Sequence, residues 1–220
     1  MVLQTLKKEW YVVFLLLLPF AFSMYIWDEL PDQVPTHFNM QGEADDWGPK
    51  WINAIMFPAI GLGTYLMLVF LPMIDPKKRI EAAQKPIAAI RIVTSMFMVF
   101  MYVFIMAESM GTDINFSIYI QVGIGMLFLV LGNYMHSIKQ NYFIGVRTPW
   151  TLENEEVWKR THRLTAKVWT IGALIMIIAP LTISNAVAYW SIFGVVVSTL
   201  VLVPIIYSYV IFQQLDTQSS

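Results

Sequence analysis

Six long apolar runs, separated by polar segments, dominate the pattern of this chain. A helix that crosses a bilayer needs roughly 20 mostly apolar residues. The pattern therefore predicts an all-α polytopic membrane protein, a six-transmembrane-helix bundle, with aromatic residues at several run ends to seat them among lipid headgroups. The predicted spans are 10–27, 51–74, 87–107, 118–135, 164–183 and 186–212.

Composition supports the membrane class and excludes several others. Of the 220 residues, 57% are hydrophobic and 13% are charged, whereas soluble domains contain about 25% charged residues. The net charge of -1 argues against a nucleic-acid binder, which needs a concentrated basic surface. The absence of cysteine excludes disulfides and thiolate sites. The first run is too long and too aromatic for a cleaved signal peptide, so we expect a retained first span.

The distribution of cations predicts the orientation. With the N-terminus in the cytoplasm, 13 of the 14 Lys and Arg residues fall in cytoplasmic segments, and only Lys50 falls outside. This bias is the one that cytoplasmic loops carry. We therefore expect both termini in the cytoplasm, with a short basic inner loop at 75–86.

Two membrane domains are expected, each with three spans and one large polar segment. Residues 1–110 form the N-terminal membrane domain, with an acidic outer loop at 28–50. Residues 111–220 form the second domain, with a cytoplasmic segment at 137–167 that we call the signature segment.

The outer loop gathers a histidine, several carboxylates and two tryptophans between glycine and proline turns. Three interpretations stay open: a receptor surface for a cationic peptide, a divalent metal site, and a solvated acidic loop seated on headgroups. A single histidine and the lack of regular ligand spacing weigh against the metal. The candidate residues for binding such a peptide are His37, Asn39, Glu43, Asp45, Asp46 and Trp47.

The signature segment begins with a turn and continues as a charged helix. Gly145 and Pro149 predict a non-helical backbone that presents Arg147 between aromatic side chains, where a guanidinium can clamp a phosphate or carboxylate. Packing of the loop against the bundle is the equally open alternative. The candidates for binding a partner or an anion are Asn141, Tyr142, Arg147, Thr148, Trp150, Arg160, His162 and Arg163.

A helix is expected from Thr151 onward, with Thr151 as its cap. Ion pairs at i,i+4 are predicted for Glu155 with Lys159 and for Glu156 with Arg160. The basic end of this helix is expected to meet anionic lipid, although a membrane-entry helix that obeys the positive-inside bias explains the same charges.

The interiors of the apolar runs hold almost no ionisable side chains. Pumps, proton relays and intramembrane proteases keep such groups within the bilayer, and neither an H-E-x-x-H sequence nor a phosphate-binding loop is present. We therefore expect no catalytic residue, no metal and no cofactor, and hence a protein that is not an enzyme.

Two segments resemble a known family. The run GNYMHSIKQNYFIGVRTPWTLENEEVWKRTHRL resembles the signature of the SdpI family, bacterial membrane proteins named for immunity to a sporulation-delaying toxin. The residues Pro35, His37, Phe38, Asn39, Gly42 and Asp45 resemble the N-terminal domain usually joined to it. The resemblance implies a toxin-immunity protein, and in the archetypal system also a toxin sensor that holds a cytosolic repressor at the membrane.

The resulting hypothesis is a membrane immunity protein in a bacterial plasma membrane. It binds a peptide toxin at its outer face and can signal to a cytosolic transcriptional repressor through its inner segment. One alternative is an exporter or facilitator of a peptide or lipid. A second alternative is a surface metal-dependent membrane enzyme that uses His37, Glu43 and Asp45.

Overall fold

The computed structural model describes residues 2–75, 84–112 and 114–219, so most of the predicted basic loop at 75–86 lies outside the described residues. Helix accounts for 76% of the structure. Within the described residues, five helices are long and apolar enough to cross a membrane, and a bent pair at the N-terminus raises the number to six if it forms one span. The predicted class, a polytopic helical membrane protein, is confirmed.

In its described residues, the N-terminal half contains three long helical segments and a short helix that precedes them. The short helix α1 meets α2 at an angle of 75°, and a π turn at Ile52–Met56 leads into α3 because Pro58 has no N–H for regular α-helical bonding. The helices are α1 (Val2–Lys8), α2 (Trp10–Tyr25), α3 (Phe57–Phe70, followed by a 3₁₀ turn at Leu71–Met73) and α4 (Gln84–Ser109).

The outer loop departs from the all-helical prediction. Strands β1 (Gln33–Phe38) and β2 (Ala44–Pro49) pair in antiparallel fashion, with Gln33 opposite Pro49. Val34 is 1% exposed, so one face of this hairpin packs on the protein. The sequence indicated only a compact loop, and strand pairing supplies the backbone hydrogen bonds that such a segment needs.

The described residues of the C-terminal half form a bundle of three long helices and one short one. Two glycines bring α5 close to α7: Gly125 approaches the Ala173 carbonyl and Gly132 approaches Trp169, as small residues do where membrane helices meet. Helix α7 also packs against α8. The helices are α5 (Phe116–Met135), α6 (Pro149–Glu153), α7 (Glu155–Thr182) and α8 (Ala186–Ser219).

Helices α4 and α5 connect the two ends of the bundle. At the hairpin end, Asn53 donates hydrogen bonds to the Pro35 carbonyl (2.8 Å) and to Ser109 of α4 (3.1 Å). At the signature end, Ile87 of α4 forms a small core with Phe143 and Ile144. The sides of the bundle expose large apolar residues such as Val195 (68%), which is the surface expected against lipid.

Candidate functional site

The hairpin tip is shaped by Asn39. Its Oδ1 accepts hydrogen bonds from the N–H groups of Gln41 (2.9 Å) and Glu43 (3.0 Å), and its Nδ2 donates to Glu43 Oε2 (3.2 Å). A side-chain amide that hydrogen-bonds to nearby backbone groups in this way mimics a backbone turn. Asn39 therefore fixes the tip and holds the exposed carboxylate of Glu43.

The other four predicted residues are exposed side chains on the two strands of the hairpin. His37 Nδ1 lies 2.6 Å from Asp45 Oδ1, and His37 is paired opposite Asp46 across the strands. Asp46 is exposed and Trp47 is 56% exposed. Within the described part of the chain, no three His, Asp or Glu side chains are grouped closely enough to hold a metal ion. The second alternative, a metal-dependent enzyme, therefore has no cluster of ligands there.

A cavity of about 390 Å³ lies between the hairpin and the ends of the helices. Its lining combines apolar groups, including Phe57, Ile105 and Phe116, with the polar side chains of Asn39 and Asn53. Apolar walls with a few polar groups are typical of ligand sites. Of the predicted residues, His37 and Asn39 line this cavity, whereas the other four are exposed and do not line it.

Several contacts fix the hairpin on the bundle. Phe38 stacks on Phe116 of α5 with ring centroids 4.2 Å apart. Ser117, one residue further along α5, donates to the Met40 carbonyl (3.0 Å). The roof of the cavity is therefore attached to the first turn of α5 as well as to α4.

In the signature segment, Asn141 forms the turn that precedes α6. Its Oδ1 accepts from the N–H groups of Phe143 and Ile144, each at 2.8 Å, and its Nδ2 donates to the carbonyls of Lys139 (2.8 Å) and Ile144 (3.0 Å). The residue is only 3% exposed. The structure thus gives this predicted partner-binding residue four internal hydrogen bonds.

His162 is also used internally. Its ring stacks on Trp158 with centroids 4.0 Å apart, Nδ1 donates to the Trp158 carbonyl (2.9 Å), and Nε2 accepts from the Val146 N–H (3.1 Å). This pattern needs the neutral ring with its proton on Nδ1. Gly145 has φ +111°, and a Cβ there would collide with the ring of His162. Only glycine fits this position.

The helix expected from Thr151 is divided into two. Thr148 caps α6 in a reciprocal capping box with Thr151, and Asn154 caps α7 by accepting from the N–H groups of Glu156 and Val157. The prediction of Thr151 as the cap was wrong, because Pro149 favours a helix start one residue after Thr148. Thr148 also bonds to Ser208 of α8 (3.0 Å), which ties the segment to the bundle.

The remaining predicted residues lie nearer the surface. Arg147 is exposed and donates from Nη1 to the Tyr142 carbonyl (2.7 Å), and Trp150 packs on Tyr209 of α8 with centroids 5.0 Å apart. Arg160 and Arg163 are exposed on α7. The predicted ion pairs are confirmed, with distances of 3.3 Å for Glu155–Lys159 and 2.7 Å for Glu156–Arg160.

Sequence reasoning did not find a buried charge cluster near the signature end. Arg91 of α4 is 7% exposed and Glu9 is 4% exposed. Arg91 donates from Nε to Glu9 Oε2 (3.0 Å) and from Nη2 to Oε1, and the Tyr65 hydroxyl donates to Oε2 (3.2 Å). The available signal was a single arginine inside the third apolar run and a single acid before the first.

The fold is that of a multi-pass helical membrane protein with a polar region at each end. Comparison with known proteins shows which families the chain is similar to. Residues 137–208 match the SdpI/YfhL protein family, and residues 14–62 match a Domain of unknown function (DUF1648). The first match covers the signature segment and most of α7 and α8, and the predicted resemblance is confirmed.

One curated relative extends the similarity to most of the chain. The Immunity protein SdpI of Bacillus subtilis (strain 168) is 27% identical over 174 residues, which cover 78% of this chain and 80% of the relative. No solved structure gives a significant match.

Proposed function

We propose that this protein is a membrane immunity protein that captures a peptide toxin at its hairpin end. The observation that carries the proposal is the cavity of about 390 Å³ beneath an acidic, aromatic hairpin. The similarity to a protein named as an immunity protein supports it. A toxin of cationic and amphipathic character fits this surface best.

Charge at the hairpin end favours such a peptide. Residues 28–50 contain six acidic side chains and one lysine. Lys50 turns inward, because its ammonium group donates to the Trp27 carbonyl (3.0 Å) and lies 3.5 Å from Asp32. The exposed carboxylates of Asp45 and Asp46 are therefore left to attract cations from solution. Apolar side chains of the bound peptide would then enter the cavity beside Phe116.

The same contacts give a physical route to the other end of the bundle. The hairpin is bonded to α4 through Asn53 and to α5 through Ser117. Helix α4 packs on Phe143 and Ile144 of the signature segment, and α5 leads directly into that segment. A toxin that binds one arrangement of these helices more tightly shifts the population toward it. We propose that this shift changes which side chains the signature segment exposes to a cytosolic partner.

The exposed cations of the signature segment are the proposed contact for a cytosolic repressor. In the predicted orientation Arg147, Arg160 and Arg163 face the cytoplasm, where guanidinium groups bind carboxylates and phosphates. The same cations also suit anionic lipid headgroups. The buried members of the predicted set, Asn141 and His162, support this surface by fixing the turn that carries it.

Protection of a sensitive strain tests the proposal. Cells that are killed by the sporulation-delaying toxin, for which the family is named, would express this protein or its Asp45→Asn/Asp46→Asn/Trp47→Ala variant. We expect survival with the parent protein and killing with the variant, at equal membrane levels of both. The matched control, Glu155→Gln/Glu156→Gln, removes two carboxylates at the opposite end and should still protect.

The distribution of the toxin distinguishes capture from export. A receptor retains toxin on isolated membranes, whereas an exporter lowers the total amount bound to cells. Equal killing with and without the parent protein would refute the immunity proposal. An Arg147→Gln/Arg160→Gln/Arg163→Gln variant should keep protection and lose recruitment of the repressor to membranes; loss of protection instead would contradict the division of roles between the two ends.

A further inference from the structure

An apolar groove runs along the contact between α4 and α5, the two helices that join the halves of the protein. It encloses about 590 Å³. On α4 it extends from Ala89 to Phe100, and on α5 from Gly123 to Tyr134. Apart from Tyr134, the side chains that line it are apolar. We call this feature the α4–α5 groove.

The dimensions of the groove match one leaflet of a bilayer. Eleven helical steps on each helix give a length of about 16 Å, close to half of the roughly 30 Å hydrocarbon thickness. A groove of this length with an apolar lining can hold an extended hydrocarbon chain that runs along it.

A cation lies in line with the groove at its signature end. Lys85 is exposed and precedes Ala89 by one helical turn. Residues at i, i+4, i+7 and i+11 share one face of a helix, so Lys85 continues the stripe formed by Ala89, Ile92 and Met96. An ammonium group placed at the end of an apolar channel one leaflet deep complements a phosphate headgroup joined to an acyl chain.

We infer that the α4–α5 groove is a binding site for an anionic phospholipid, with one acyl chain in the groove and the phosphate at Lys85. The leaflet is the one at the signature end, which the predicted orientation makes cytoplasmic. This site is separate from the hairpin cavity, and its existence does not depend on the immunity proposal. Its position between α4 and α5 places the lipid against both helices that connect the two ends.

Native mass spectrometry of the purified full chain, titrated with phosphatidylglycerol and with phosphatidylcholine, tests the site. Lys85→Ala should weaken phosphatidylglycerol binding about fivefold and leave phosphatidylcholine binding unchanged. Ala89→Phe fills the groove and should weaken phosphatidylglycerol binding about tenfold or more, because several methylene groups lose their contacts. The controls are Lys8→Ala, an exposed cation on α1, and Val195→Phe on the exposed side of α8; neither should change the affinity.

Photo-crosslinking to the unaltered protein gives a test that no folding defect can obscure. A phosphatidylglycerol with a photoreactive acyl chain should label Val93, Met126 or Val130, which line the groove. Labels spread evenly over α2 and α8 would overturn the proposal. So would equal affinity of the Lys85→Ala variant, or a lipid-free dimer in which a second copy covers the groove.

Discussion

The buried ion pair between Glu9 and Arg91 gives the sharpest stability prediction. These residues lie 82 positions apart, and their side chains are only 5% and 9% exposed. Removal of one partner from a buried pair leaves an uncompensated charge and costs about 3–5 kcal/mol. For a chain of this size, about 1 kcal/mol lowers Tm by roughly 2–4 °C. Arg91→Met should therefore lower Tm by roughly 6–20 °C.

The double variant Glu9→Gln/Arg91→Met distinguishes the cost of a single buried charge without a partner from the loss of the ion pair itself. It removes both charges, and the introduced amide still offers an oxygen to the Tyr65 hydroxyl, so we expect it to recover at least half of the lost Tm. The control, Lys159→Met, breaks the exposed pair with Glu155 and should change Tm by no more than a few degrees, since such pairs contribute about 0–1 kcal/mol.

The assay is the fraction of purified protein that stays monodisperse in detergent after heating, measured by size-exclusion chromatography. A single variant as stable as the parent would show that Arg91 does not stabilise Glu9. A double variant no better than Arg91→Met would show that lost packing, and not a stranded carboxylate, causes the effect.

Two further predictions concern the signature segment and the topology. Gly145→Ala should lower the free energy of unfolding by about 2–4 kcal/mol, because the added Cβ strains the backbone and breaks the hydrogen bond from the Val146 N–H to His162. The control is Gly63→Ala, whose added Cβ meets no neighbour within 4 Å. It should leave the Tm in the same assay unchanged. Because the chain has no cysteine, single cysteines report topology: an impermeant maleimide should label Gln41→Cys in intact cells and Lys139→Cys only after lysis. The reverse pattern would refute the predicted orientation.

Local sequence signals predicted the helices and the surface charges well. A long apolar run is enough to define a span, because lipid buries its side chains. The position of a span can therefore be predicted without knowing which helices pack beside it. The pairs Glu155–Lys159 and Glu156–Arg160 were predictable because helical spacing by itself brings such side chains together. The turn before α6 was also readable, since Gly145 and Pro149 mark non-helical backbone.

The partners of individual polar residues in the signature segment were not predictable. Asn141 and His162 were candidates for an external ligand, and the structure instead gives each of them internal hydrogen bonds. A loop folded beneath helices must satisfy its buried backbone groups, and the nearest polar side chains do so. The exposed candidates, Arg147, Arg160 and Arg163, keep the partner-binding role as a prediction.

The amino-acid sequence by itself determined that this chain enters a membrane, where its spans lie and which family its signature resembles, because hydropathy and short motifs are properties of contiguous residues. Only the tertiary structure decided that the outer loop is a hairpin over a cavity, that Glu9 meets Arg91, and that α4 and α5 enclose a groove. The cavity, the ion pair and the groove each join residues that are well separated in the chain, and the packing of whole helices sets their distances.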